Sequence, residues 1–262
     1  MTSPTPAAVL LATLLAAVGA LAACAPEEPG AEPTGAPATG PVAPSTSPTL
    51  AGATPSTTRV PVVWFDEVEV ALGEHRLGLP SGATVEESPE GWRRVAFAVD
   101  PAVTAGLLLE VPGVEVVSGA FTLDGAAFAT RPLATDAAGE PVEAAFVAGA
   151  RGPQLRLGPA AARVEFLVGE RLLASAEWES QTRILITPTE LGRELAPGDP
   201  VGAAAWAPTA LGQLDADPRL DSSSVVNQLA CHMIGAREKP TWNLETDRAD
   251  KGLLGFMASR CN

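Results

Sequence analysis

The stretch between residues 60 and 178 limits the folds open to this chain, because short runs of β-branched and aromatic residues recur there without a long helical pattern. Such runs, bounded by Gly, Pro and Asp, are typical of strands joined by turns. The lack of long helical segments between them disfavours a parallel βαβ sheet. We therefore expect an antiparallel β-sandwich of about seven to nine strands. The predicted strands include residues 60–65, 92–99, 107–111, 114–117, 142–147 and 154–157.

A hairpin is predicted at the end of this series. Residues 163–168 and 171–178 both alternate between apolar and polar positions, and Gly169-Glu170 lies between them. Alternation with period two around a Gly-X turn is typical of a two-residue hairpin with one buried face. The sequence therefore predicts that residues 163–168 pair with residues 171–178.

The amino-terminal segment indicates export. An apolar run extends from Ala7 to Ala23, and this pattern is typical of a signal peptide, although no Lys or Arg precedes it. Its ending, Leu21-Ala22-Ala23-Cys24, resembles the bacterial lipobox, which implies removal of residues 1–23 and lipidation of Cys24. The chain would then be anchored to the outer face of the cell membrane. An ordinary cleaved signal with a chance cysteine is one alternative. A transmembrane anchor is another, although spanning a bilayer takes about 20 apolar residues.

The segment that follows Cys24 is rich in Pro, Ala and Thr and has no aromatic residue up to residue 58. Such a segment cannot bury enough apolar surface to offset its ordering entropy, and its prolines favour an extended form. We expect a disordered tether. The chain then divides into a signal peptide (1–23), the lipidated Cys with its tether (24–58), a β-sandwich domain (59–178) and a small carboxyl-terminal module (179–262).

The charge of the chain argues against one class of partner. The sequence has 17 basic and 31 acidic side chains, for a formal net charge of −14. Binding to phosphate groups needs basic patches, so a nucleic-acid partner is not expected. We expect contact with the membrane through the lipid anchor, and a cell-wall or envelope protein as the partner of the folded part.

The last third of the chain has a mixed pattern. It predicts a strand over residues 182–187, a turn into a short helix or loop over 188–193, a helical stretch that opens at 203–206 and ends before Asp215, and a helix over 222–234. Serines stand at the start of the last helix as caps, and Gly235 follows it where a C-cap belongs. The module is therefore predicted to be α+β.

Polar, aromatic and cysteine residues of this module form a recognisable set. They are Trp178, Thr187-Pro188-Thr189, Gly192-Arg193, Trp206, Asn227-Gln228-Leu229, Cys231-His232, Lys239, Trp242-Asn243-Leu244-Glu245, Arg248 and Cys261-Asn262. This set, spread over residues 177–262, resembles the family known as domain of unknown function 2599, which is found at the carboxyl termini of exported actinobacterial proteins. The resemblance implies export and no particular activity.

The cysteine count bears on the stability of the module. If Cys24 is lipidated, Cys231 and Cys261 are the only other cysteines, and an oxidising compartment favours a disulfide between them. Two free thiols or a metal site are the alternatives. A structural zinc site wants four ligands, and nearby only Cys231, His232 and Cys261 are of the right type. We expect no metal and no cofactor.

Two hypotheses remain for the function. The first is a binding or envelope-organising module; the second is an exported hydrolase with His232 as general base and Glu245 or Asp247 as its carboxylate partner. Standard nucleophile motifs are missing, so the sequence assigns no catalytic residue. The candidate functional residues are His232, Lys239, Trp242, Asn243, Glu245 and Arg248.

Overall fold

The described part of the chain comprises residues 63–64, 68–100, 105–107, 114–149, 152–215 and 217–261 of a computed structural model. The predicted signal peptide, Cys24 and the tether lie outside these residues. The fold is mainly β, with antiparallel sheets and few helices, as the sequence predicts. Among the described residues, no helix has both the length and the apolar character needed to cross a bilayer.

The first part of the fold contains more and shorter strands than the seven to nine predicted. The predicted run 142–147, for example, is divided between two strands at Glu143. In chain order the strands are β1 (Val63–Trp64), β2 (Val68–Leu72), β3 (His75–Leu79), β4 (Thr84–Glu87), β5 (Trp92–Ala98), β6 (Ala105–Leu107), β7 (Val114–Val117), β8 (Ala120–Leu123), β9 (Ala127–Ala129), β10 (Leu133–Thr135), β11 (Pro141–Val142), β12 (Ala144–Gly149), β13 (Gly152–Leu157) and β14 (Arg163–Gly169).

These strands form two main sheets and a hairpin. One sheet has the order β1-β6-β13-β12. The other has the order β11-β10-β14-β9-β8-β7, and β5 also pairs with β14 while β4 pairs with β5. β2 and β3 form the separate hairpin. Pairing is antiparallel except between β1 and β6, which run parallel.

The two main sheets pack face to face, which confirms the predicted sandwich. Phe146 on β12 lies edge-on between Phe121 on β8 and Phe166 on β14, with ring centroids 4.8 and 5.2 Å apart. Edge-to-face contact at such distances is a favourable aromatic arrangement. The β2–β3 hairpin adds Leu72 and Leu77, both fully buried, to the same core.

The predicted hairpin between residues 163–168 and 171–178 is wrong. β14 pairs with β5, β9 and β10, and the strand that follows it belongs to another sheet. The physical reason is that β14 is buried on both faces: Phe166 points into the sandwich core, while Leu167 packs in a second core shared with the carboxyl-terminal module. Gly169-Glu170 therefore lies in the connection between strands of two different sheets, and not in a hairpin turn.

The carboxyl-terminal module packs on the outer face of the larger sheet, where Phe128 and Trp206 meet edge-on at 6.5 Å. Its three-stranded antiparallel sheet has the order β15-β16-β17. The predicted strand, the helical stretch that opens at 203–206 and the helix over 222–234 are confirmed. Of the two alternatives for residues 188–193, the structure has the short helix. One further strand and one further helix were not predicted. The elements are β15 (Leu173–Trp178), β16 (Arg183–Pro188), α1 (Glu190–Glu194), α2 (Pro200–Leu211), a 3₁₀ turn (Pro218–Leu220), α3 (Ser223–Gly235), β17 (Trp242–Glu245) and α4 (Gly252–Ala258).

A buried threonine joins α1 to the start of the module. The Thr189 hydroxyl donates to the carbonyl oxygens of Arg171 and Leu172, at 2.9 and 3.1 Å, and accepts the N–H of Gly192 as an N-cap. A Cβ atom at Gly192 would overlap the Leu172 carbonyl oxygen, so this close approach requires glycine. Thr189 and Gly192 therefore serve the fold.

Candidate functional site

Helix α3 is bonded to β17 by side chains one helical turn apart. Gln228 Nε2 donates to the Glu245 carbonyl oxygen at 2.9 Å, and the Glu245 N–H donates to Gln228 Oε1 at 3.0 Å. His232 Nε2 donates to the Asn243 carbonyl oxygen at 3.0 Å. The rise over four residues of a helix is about 6 Å, and the rise over two residues of a strand is about 6.7 Å. The spacing of Gln228 and His232 along α3 therefore matches that of Asn243 and Glu245 along β17. We call Gln228, His232, Asn243 and Glu245 the α3–β17 clasp.

The clasp closes one edge of the three-stranded sheet. Within the described ranges, β17 pairs with β16 on one side and with no strand on the other. In an antiparallel pair, alternate residues direct their backbone N–H and C=O groups away from the partner strand. Asn243 and Glu245 occupy such positions, and α3 supplies the partners of their carbonyl oxygens and of the Glu245 N–H. Leaving such groups unpaired in a half-buried place is costly, and α3 covers this edge and pairs three of the four outward backbone groups of Asn243 and Glu245.

His232 lies inside the module and is not exposed at all. Its ring stacks on the Trp242 indole, with centroids 6.2 Å apart and planes 7° apart. Burial, together with the positive charges of Lys239 and Arg248, lowers the pKa of His232 to about 4, although the hydrogen bond to the Asn243 carbonyl acts in the opposite direction. The imidazole is therefore neutral at pH 7. Its Nδ1 atom is buried and has no partner among the described residues.

The remaining candidate residues surround the clasp without completing a catalytic pair. Arg248 Nε donates to the Glu245 carboxylate at 2.8 Å, so this carboxylate is engaged by a cation. Lys239 and Asp247 are exposed. In the part of the chain that the structure describes, neither the Glu245 nor the Asp247 carboxylate makes a hydrogen bond or an ion pair with His232. The His–carboxylate geometry of the hydrolase hypothesis is thus not assembled here.

Trp242 is also an interior residue. Its side chain is 1% exposed, and its indole N–H donates to the Ala236 carbonyl oxygen at 2.9 Å. The Arg193 guanidinium lies over the ring, 5.9 Å from its centroid, and donates to the carbonyl oxygens of Lys239 and Pro240. Arg193 therefore fixes the loop that leads into β17. Among the candidate residues taken from the sequence, neither Arg193 nor Gln228 is included, although Gln228 lies four residues before His232.

Two links tie α3 to α4. Cys231 and Cys261 form the predicted disulfide, with Cα atoms 5.5 Å apart, and pack with Phe256 in a small buried cluster. Asn227 Nδ2 donates to Asp250 Oδ1 at 3.0 Å, just before α4 begins. Within the described ranges, no group of three or more His, Cys, Asp or Glu side chains is arranged to hold a metal ion.

Bonds within the module thereby account for most of the residue set that carries the family resemblance. Residues 173–262 match the family described as protein of unknown function (DUF2599). The match begins at the first residue of β15 and covers the Thr189 joint, the clasp and the disulfide, so the resemblance seen in the sequence is confirmed. We refer to these residues as the DUF2599 module. No curated protein and no solved structure matches the chain.

The burial of His232 predicts that acid destabilises the DUF2599 module. The unfolded chain takes up a proton near pH 6.5, whereas the folded state does so only near pH 4. Stability is therefore lost as the pH falls through this window, and His232 alone should lower the free energy of unfolding by about 1.3 kcal/mol between pH 7.5 and pH 5.5. Urea unfolding at the two pH values measures the difference.

The variant His232→Gln should lose this pH-dependent contribution, because glutamine does not titrate. The matched control is His75→Gln in the sandwich, which leaves His232 in place and should keep the contribution. The same pH dependence in His232→Gln and in the unchanged chain would contradict a buried neutral imidazole.

Proposed function

We propose that this chain is an exported lipoprotein, anchored through Cys24, whose folded part binds a component of the cell envelope. The observation that carries the proposal is the disulfide between Cys231 and Cys261. Stable disulfides are typical of oxidising compartments outside the cytoplasm. Two of the chain's three cysteines are used in this bridge, which leaves Cys24, at the end of the apolar run, for lipid attachment.

A binding role is favoured over a catalytic one by the state of the candidate residues. A general base needs access to the proton that it removes and a pKa near the working pH. His232 is fully buried with a pKa of about 4, and its Nε2 proton is engaged by the Asn243 carbonyl. The polar residues of the family set therefore stabilise the fold of the module, and binding of the envelope component is assigned to the exposed surface.

Changing Cys24 to serine is expected to release the protein from the membrane. Each buried methylene of an acyl chain contributes about 0.8 kcal/mol, so loss of two or three chains removes stable anchoring. Membrane and soluble fractions are compared by immunoblot, and the amino-terminal peptide of the membrane form is examined by mass spectrometry for acyl groups on Cys24.

The matched control is Ala25→Ser, which introduces the same side chain one residue later and should leave the protein on the membrane. An unmodified Cys24 in the membrane fraction, or retention of Cys24→Ser there, would contradict the proposed anchor.

A further inference from the structure

The two edges of the sheet in the DUF2599 module differ. β17 is closed by the clasp, whereas β15 pairs with β16 on one side and, among the residues that the structure describes, with no strand on the other. The Glu179 N–H donates to the Arg183 carbonyl oxygen at 2.9 Å, which fixes the alternation along β15. By this alternation, the backbone groups of Ala176 and Trp178 point away from β16. No residue in the described part of the chain hydrogen-bonds to them.

A groove of about 610 Å³ runs beside this edge, and Ala176 and Trp178 are both part of its lining. Apolar side chains of Leu173, Ile184 and Leu220 line it as well. Its volume falls within the range of about 300–1,000 Å³ that is common for binding pockets. The unpaired backbone groups of Ala176 and Trp178 thus border a concave surface that can bind an additional peptide segment.

The aromatic side chain of the groove is held in place. The Arg219 guanidinium lies over the Trp178 ring, 3.5 Å from its centroid. Arg219 is itself fixed by Asp217, at 2.9 Å from Nε to Oδ1, and by the Gln181 carbonyl oxygen at 3.0 Å. A preorganised side chain loses little rotamer freedom on binding. The indole is therefore ready to contact a ligand at the open edge.

Native proteins protect sheet edges with Lys, Pro, strong bulges or covering segments, because an unpaired edge recruits other strands. Arg171, just before β15, donates to the Ala174 carbonyl oxygen at 2.7 Å, and a register shift lies between Leu173 and Ser175. Neither feature protects the edge from Ala176 to Trp178. This short open segment has the features of a strand-addition site, in which main-chain bonds supply affinity and side-chain pockets supply specificity.

The charge around the groove indicates the kind of peptide. The groove is lined by three acidic residues, Glu170, Asp215 and Asp217, and by one basic residue, Arg171. Arg219 lies beside the groove. Asp215 is exposed and makes no ion pair within the described ranges. A basic side chain is therefore the complementary one.

We propose that the open edge of β15 binds an extended peptide segment of an envelope protein, which adds as a fourth strand and places a Lys or Arg side chain near Asp215. This deepens the proposed function, on which it rests for the location of the partner. The site itself depends only on the groove and on the backbone groups of Ala176 and Trp178.

Peptides selected from a random dodecapeptide library on the purified full chain test the proposal. Selected sequences should contain Lys or Arg, and their synthetic forms should bind in calorimetric titrations. Ala176→Pro should weaken binding at least tenfold, because it removes an outward N–H and places a ring on the edge. The N–H of Ala176 does not serve the pairing with β16, so the melting temperature should change little. The control Glu177→Gln lies on the same strand outside the groove lining and should bind as the unchanged chain does.

A second probe does not depend on the folding of a variant. Two N-methylated versions of a selected peptide are compared, one methylated on the odd-numbered amides and the other on the even-numbered amides. Only one of these two sets of amides faces β15, so only one version should lose binding. The proposal would be overturned if no peptide were selected, or if the selected peptides were acidic. It would also be overturned if Ala176→Pro bound the peptide as tightly as the unchanged chain does and both N-methylated forms bound as tightly as the unmethylated peptide. A dimer that Ala176→Pro abolishes would place a second copy on the edge and overturn it as well. Cys24→Ser should bind the peptides unchanged, which separates this test from that of the anchor.

Discussion

Replacing Cys231 and Cys261 together by alanine is expected to lower the free energy of unfolding by about 3.7 kcal/mol. The bridge joins residues 30 apart in the sequence, and closing a loop of about that length in the unfolded chain accounts for this value in the chain-entropy model. Both cysteines are also buried with Phe256, so the loss of their sulfur atoms removes packing in the same direction. The total stability of such a domain is about 5–15 kcal/mol, so the loss is a large share of it.

Urea unfolding of the full chain measures this loss. Treating the unchanged chain with a reducing agent should reproduce the loss, while the double variant should be insensitive to the reductant. Cys24→Ser is the matched cysteine control and should unfold as the unchanged chain does. A double variant within about 0.5 kcal/mol of the unchanged chain would contradict a stabilising bridge, since changes of that size are usual for uninvolved surface positions.

Changing Gln228 to leucine should lower the free energy of unfolding by about 2–3 kcal/mol. The substitution keeps much of the side-chain volume but removes both partners of the Glu245 backbone groups. A buried donor or acceptor left without a partner costs about 1–3 kcal/mol. Glu245 is half-buried and water reaches it in part, so each of its two backbone groups contributes the low end of that range, about 1–1.5 kcal/mol.

The matched control is Gln181→Leu, which makes the same change on an exposed turn and should shift the stability by less than about 0.5 kcal/mol. Thermal and urea unfolding of both variants provide the comparison. Equal stability of Gln228→Leu and Gln181→Leu would show that the amide of Gln228 does not hold β17.

Local signals in the sequence were enough to predict several elements of the module. Helix α3 starts after Ser222, whose hydroxyl accepts the Val225 N–H at 3.3 Å. It ends one residue later than predicted: Gly235 is its last residue, and Ala236, not Gly235, is the C-cap. Caps and helical periodicity involve neighbours within a few residues, so they can be read from one sequence. The disulfide was also predictable, because the choice of cysteines was small.

Pairing between distant residues could not be predicted in the same way. A Gly-Glu pair between two alternating runs has the local chemistry of a hairpin turn, yet β14 is a central strand and β15 belongs to another sheet. β17 is only four residues long, too short for alternation to be distinguished from a loop. Its strand character comes from β16 and α3, which lie far from it along the chain.

The candidate site was located from the sequence, but its role was not. The predicted residues His232, Asn243 and Glu245 do come together, because α3 and β17 are adjacent. Their burial and their hydrogen-bond partners depend on the folded module, and these decide between a base and a structural donor. The spacing of four between Gln228 and His232 was the signal that could have identified a shared helical face.

Amide hydrogen exchange along the two edges of the three-stranded sheet tests whether the family residues close the β17 edge while the β15 edge is open for a partner. In the full chain at neutral pH, the Glu245 amide should exchange slowly, as amides held by buried partners do. The Ala176 and Trp178 amides should exchange close to the rate of an unprotected chain. Rapid exchange at Glu245 would contradict a closed β17 edge, and slow exchange at both Ala176 and Trp178 would contradict an open β15 edge.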